Sequence, residues 1–162
     1  MTKPFLILCL GNEVIADDAF GPEAARILLE SKKLPSPVEV IYAPVAGFAL
    51  LDLLAGRERV LIVDTIQTGH KTPAGHLSFL ALSDFPASHN LTSSHQISLP
   101  TALELGKRMG MTMPRQIEIL AVEAADLETL GGPMTAAVQA ALNDAVSRAI
   151  LWAKKASRSK NQ

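Results

Sequence analysis

FLILCLGNEVIADDAFGPE, residues 5–23, is the stretch on which the architecture turns. Phe5 to Leu10 is an unbroken apolar run. It lacks the alternation of a half-buried strand, so it reads as a central strand covered on both faces. Gly11 and Asn12 end it. Pro22 and Glu23 then open a helical stretch that reaches about Lys33. Proline is tolerated in a first helical turn, and a carboxylate suits the positive end of the helix dipole. Between strand and helix stand two adjacent acids, Asp17 and Asp18.

The same alternation continues outward from this unit. Leu34 to Pro37 is a turn cluster, Val38 to Ala43 a second strand, and Gly47 to Ala55 a short helix stopped by Gly56. Val60 to Val63 reads as a third strand with Asp64 at its end. Thr65 to Ala74 reads as a loop and Gly75 to Leu82 as a fourth strand. Asp84 to Ser94 is a second loop. His95 to Gly110 has helical character, with Pro100 moving its start toward Leu99. Gln116 to Val122 is a fifth strand. Pro133 to Lys155 is a long amphipathic helix with Met134, Val138, Ala141, Val146, Ile150 and Leu151 as core candidates. Strands alternating with helices predict an α/β three-layer sandwich: a twisted, mostly parallel sheet of about five strands with helices on both faces. Residues 1–157 are expected to form a single domain, and 158–162 a basic C-terminal tail.

Composition narrows the function classes. The chain has 162 residues, 48% apolar and 19% charged, within the range of a globular domain with a real core. Fifteen basic against sixteen acidic residues leave a formal charge of −1, which argues against nucleic acid as partner. Five Phe, one Tyr and one Trp are too few for a base-stacking platform. The longest N-terminal apolar run is far short of a membrane span or a secretory signal, so no membrane is expected and a cytoplasmic location is. The lone Cys9 can form neither an internal disulfide nor a multi-thiolate zinc site, and reads as a small buried hydrophobe.

In an open α/β sheet, ligands bind beyond the carboxyl ends of the strands. That rule selects three polar features. The first is the acid pair; capping the following helix would occupy one of the two and leave the other for a cleft. The second is Asp64, which in the plainer reading starts a turn with Thr65. The third is His95, in Thr92-Ser-Ser-His-Gln96, which alone would be a surface histidine. The first loop lacks G-x-G-x-x-G, and its acids would repel a pyrophosphate, so nucleotide binding is not expected. Two carboxylates and an imidazole at one sheet edge suit a divalent ion with an open position, the arrangement metal-assisted hydrolysis needs.

At these residues the sequence resembles the hydrogenase maturation endopeptidases over nearly its whole length. The resemblance is carried by Leu10-Gly-Asn12 with Asp17-Asp18 and Gly21, by Val63-Asp64 and by Ser94-His95-Gln96. A weaker match covers Val122-Glu123 and Gly131 to Val138. Cys9 and Ala19 stand where the family often has glycine. The resemblance implies an α/β fold and an aspartyl-type endopeptidase. Its partner would be a nickel-iron hydrogenase large-subunit precursor, cut near the C-terminus after nickel insertion. It also implies that Asp18, Asp64 and His95 are the catalytic and metal-binding residues, holding either the precursor's nickel or a divalent ion of their own. Asn12, Asp17 and Glu123 rank second, for substrate contacts or support of the site; a solvated strand end is the plainer reading of Glu123. A metal-dependent hydrolase of small peptides and a non-cutting nickel-site chaperone are the alternatives.

Overall fold

The computed structural model describes residues 1–69, 71–84 and 98–159. Five strands form one sheet: β1 (Phe5–Leu10), β2 (Val38–Ala43), β3 (Arg59–Ile66), β4 (Leu77–Ala81) and β5 (Gln116–Glu123). Among the described residues four α-helices flank it: α1 (Phe20–Glu30), α2 (Leu50–Leu54), α3 (Leu99–Arg108) and α4 (Ala136–Arg158). The strand order is β2-β1-β3-β5-β4, with β4 antiparallel to β5 and the other pairs parallel. The expected mostly parallel sheet with helices on both faces is borne out.

Alternation within β1 explains why it is apolar throughout. Phe5, Ile7 and Cys9 pack with α1 and α4, whereas Leu6, Leu8 and Leu10 pack with α2 and α3. In β3, Leu61 and Val63 join the first core, and Val60, Ile62 and Ile66 join the second. Both faces of these strands are dry, so every position needs an apolar side chain until the strand emerges at the rim.

The connections set the position of that rim. From β1 the chain crosses to β2 through α1 on one face of the sheet. It then returns past β1 to β3 through α2 on the other face. From β3 it leaves in the opposite direction, past β5 to the edge strand β4. β1 and β3 are therefore neighbours whose outgoing chains diverge, the switch point at which α/β sheets open a crevice.

Several boundaries differ from the sequence reading. A 3-10 turn, Ala16–Ala19, precedes α1, so the acid pair sits in a helical turn rather than an open loop. β3 runs to Ile66, which places Asp64 inside the strand, because hydrogen-bonded pairing with β5 continues through Ile66 and Glu123. α3 starts at Leu99 with Ser98 as its N-cap, the later of the two expected starts. α4 runs through Arg158, past the expected start of the tail. Leu151 is 56% exposed, so its assignment to the core is corrected. The buried stripe of α4 keeps Val138, Val146 and Ile150 and adds Leu142, Trp152 and the alanines Ala145, Ala149, Ala153 and Ala156, small residues at positions that hydrophobicity alone underrates. Among the described residues no helix is long and apolar enough to cross a membrane.

The corner between β1 and α1 is unusually close. A Cβ on Gly21 would lie 1.8 Å from the carbonyl oxygen of Leu10, and one on Gly11 would lie 2.1 Å from that of Asp18. Gly11 also has φ +137°, a conformation costly for other residues. Gly21→Ala is expected to push α1 off the end of β1 and to lower stability by about 3 kcal/mol. Urea unfolding measures this directly, and an unchanged midpoint would contradict the close approach. Burial pushes the Cys9 thiol up to about 12. Iodoacetamide at pH 8 is therefore expected to label Cys9 only after denaturation, as an intact-mass time course would reveal.

Candidate active site

The rim at the switch point is built from the turn after β1 and the last residues of β3. Asp18 is partly exposed there, and both of its oxygens are held. The Asn12 backbone N–H donates to Oδ2 at 2.9 Å, and the Thr65 hydroxyl donates to Oδ1 at 3.2 Å. Asn12 is itself folded into a tight turn, with its side-chain oxygen accepting the Val14 N–H at 3.1 Å. Asn12 thus braces Asp18 through its main chain.

Asp64 is fully buried, and its Oδ1 accepts the Thr65 N–H at 2.8 Å. Thr65 therefore touches both acids, Asp64 through its amide and Asp18 through its hydroxyl. Strand alternation makes this possible: Asp64 shares the parity of Ile62 and Ile66, and Thr65 that of Leu61 and Val63. Reading Thr65 as the start of a turn missed this role. The available signal was a hydroxyl residue in a strand next to an acid.

Asp17 takes a different part. It is fully buried, and it caps neither the 3-10 turn nor α1, contrary to the capping reading. Its Oδ2 accepts the N–H groups of Ala125 and Asp126, each at 2.8 Å. Its Oδ1 accepts the Thr135 N–H at 2.7 Å and hydroxyl at 2.9 Å. Thr135 is the N-cap residue of α4, so Asp17 ties the turn after β1 to the segment between β5 and α4. Main-chain bonds from Ala16 N to Thr129 O and from Asp17 N to Asp126 O run alongside. The acid pair divides the work: Asp17 anchors the turn and Asp18 faces the crevice.

Glu123 is buried in β5 rather than solvated. Its carboxylate accepts the Thr68 N–H at 2.7 Å and the Thr68 hydroxyl at 2.9 Å, fastening the chain beyond β3 to β5. Tyr42, at the end of β2, donates its hydroxyl to the Gly11 carbonyl at 3.2 Å. Burial and the negative charges of Glu13 and Asp18 raise its pKa, so the phenol stays protonated and keeps that bond. The rim is thus an acidic surface.

His95 lies outside the described residues. Among the described residues no group of three or more His, Cys, Asp or Glu side chains is placed to hold a metal ion. The two carboxylates still fit such a role as hard oxygen donors. Each Asp18 oxygen accepts one of the hydrogen bonds above.

A family model described as hydrogenase maturation protease matches residues 22–152. The chain is 29% identical over 146 residues to the hydrogenase 2 maturation protease of Escherichia coli (strain K12), covering 90% of this chain and 87% of that one. It is 27% identical over 147 residues to the hydrogenase expression/formation protein HupD of Rhodobacter capsulatus, covering 90% and 69%. The fold is similar to that of the hydrogenase maturating endopeptidase HybD from E. coli. There the TM-score is 0.75 at 24% identity, covering 94% of this chain and 93% of that one. The [NiFe] hydrogenase maturation protease HybD from Thermococcus kodakarensis superposes with a TM-score of 0.63 at 25% identity, covering 92% and 98%.

Asp17→Asn replaces an acceptor oxygen with an NH2 group facing hydrogen-bond donors. Because bonds to a buried charge are lost, stability is expected to fall by about 3 kcal/mol. Denaturant unfolding is the check; a loss below about 0.5 kcal/mol, the scatter of ordinary surface substitutions, would refute the anchoring role.

Proposed function

This chain belongs to the hydrogenase maturation protease family, and on that footing we propose that it removes the C-terminal extension of a nickel-iron hydrogenase large-subunit precursor after nickel insertion. The observation that carries the reading is the meeting of Asp18 and Asp64 on Thr65 at the β1/β3 switch point. Hydrolysis of a peptide bond needs a group that takes a proton from water, and a carboxylate fixed at an open crevice meets that need.

In this proposal Asp18, Asp64 and His95 hold the nickel of the precursor, or a divalent ion bound beside it. Such an ion would polarise the scissile carbonyl. Asp18, the more exposed acid, takes a proton from the attacking water and returns it to the leaving nitrogen. The Asn12 N–H and the Thr65 hydroxyl keep its carboxylate oriented through both transfers. Asp64 is a fixed negative charge behind the reacting centre. The activity is aspartyl-type in this sense: a carboxylate acts on water and forms no covalent intermediate. The free, buried Cys9 fits work in a reducing compartment, which we take to be the cytoplasm.

The test is the intact mass of a nickel-loaded large-subunit precursor before and after incubation. Wild-type protein is expected to release one defined C-terminal fragment, and only when nickel is present. Asp18→Asn, Asp64→Asn and His95→Ala are expected to slow release by on the order of 100-fold or more while remaining folded. Processing by Asp64→Asn at the wild-type rate would sink its assigned role. An unchanged precursor mass together with co-elution on a sizing column would mark a non-cutting binder instead.

A further inference from the structure

Beyond the carboxyl ends of β3 and β5 lies a groove of ≈ 560 Å³ that the reaction as described leaves unused. One wall is the chain beyond β3, with Gln67, Thr72 and Ala74. The other is the end of β5, with Glu123, Ala124 and Ala125. Both walls are tied down. Glu123 holds Thr68 by two hydrogen bonds, the Ala124 N–H donates to the Ile66 carbonyl at 2.8 Å, and the Ala125 N–H donates to Asp17. The groove is therefore preformed.

Its position follows from strand register. Asp64 pairs with Ala121 and Ile66 pairs with Glu123. The groove thus begins two strand residues beyond Asp64, or about 7 Å along the strand direction. An extended peptide advances by the same rise per residue. A chain with its scissile bond at the acids therefore reaches the groove two or three residues away. Alanines on both walls leave space for an incoming side chain. The carboxylate of Glu123, with no basic side chain among the described residues that line the groove, disfavours an anionic occupant such as a nucleotide.

We propose that this groove is a specificity subsite, which takes an extended segment of the precursor two to three residues from the scissile bond. The inference rests on the proteolytic reading above and deepens it. Ala74 and Ala125 are the residues through which it selects; neither touches the reacting atoms.

The experiment uses Ala125→Phe and, on the opposite wall, Ala74→Phe, at positions that are exposed and half-buried. Cleavage kinetics are measured on the nickel-loaded precursor. Binding is measured separately, by fluorescence anisotropy of the same precursor labelled near its C-terminus. In each variant KM and Kd are expected to rise roughly tenfold, with kcat changing far less and the thermal midpoint unmoved. KM and Kd within twofold of wild type in both variants, or a loss confined to kcat, would overturn the subsite. A wild-type protein that binds but does not cut would remove the proteolytic reading alone, since the anisotropy contrast would still decide the groove. A wild-type protein that neither binds nor cuts would overturn both.

Discussion

A single buried carboxylate organises the functional end of this molecule. Removing a charge from water is costly unless hydrogen bonds replace its hydration. Asp17 meets that condition with donors from Ala125, Asp126 and Thr135. Those residues are remote in sequence and belong to the segment that joins β5 to α4. The charge therefore has low energy only when three parts of the chain are assembled: the turn after β1, the exit of β5 and the start of α4. The two glycines at the corner serve the same assembly, because a side chain at either would keep backbone from meeting backbone.

The placement of Asp18 follows from that anchor. Consecutive residues in a tight turn project in different directions, so with Asp17 committed to the interior its neighbour is presented to the crevice. Thr65 completes the arrangement from the other side. It lies on a strand pinned between β1 and β5, and its amide and hydroxyl hold one acid each. The two carboxylates are thus set by rigid elements rather than by loop conformation, which is what a preorganised hydrolytic site requires. Glu123 repeats the device one strand over, using a buried carboxylate to hold the chain beyond β3.

The apolar periodicity of Phe5 to Leu10 and the strand–helix alternation were enough to read the fold class, because a doubly covered strand must be apolar at every position. The same rule placed Asp18 and Asp64 near the carboxyl ends of strands, and the family resemblance singled out Asp18 from its neighbour. His95 entered the reading through that resemblance and lies outside the described residues. Leu151 reads as core by its chemistry, yet helix phase turns it outward and places alanines among Val138, Leu142, Val146, Ile150 and Trp152 in the buried stripe.

By itself, then, the sequence determined the layered α/β architecture, the dry central strands and the presence of two acids at one edge of the sheet. These depend on periodicity and local turn chemistry, which neighbouring residues carry. Only the tertiary structure decided that Asp17 is an anchor, that Thr65 bridges the acids, that Glu123 is buried and that a groove opens beyond the ends of β3 and β5. Each of these depends on partners remote in sequence, with bonds that span from 47 to 118 residues. No local pattern records such a partner, because a buried charge and a solvated one have the same side chain until the chain folds around it.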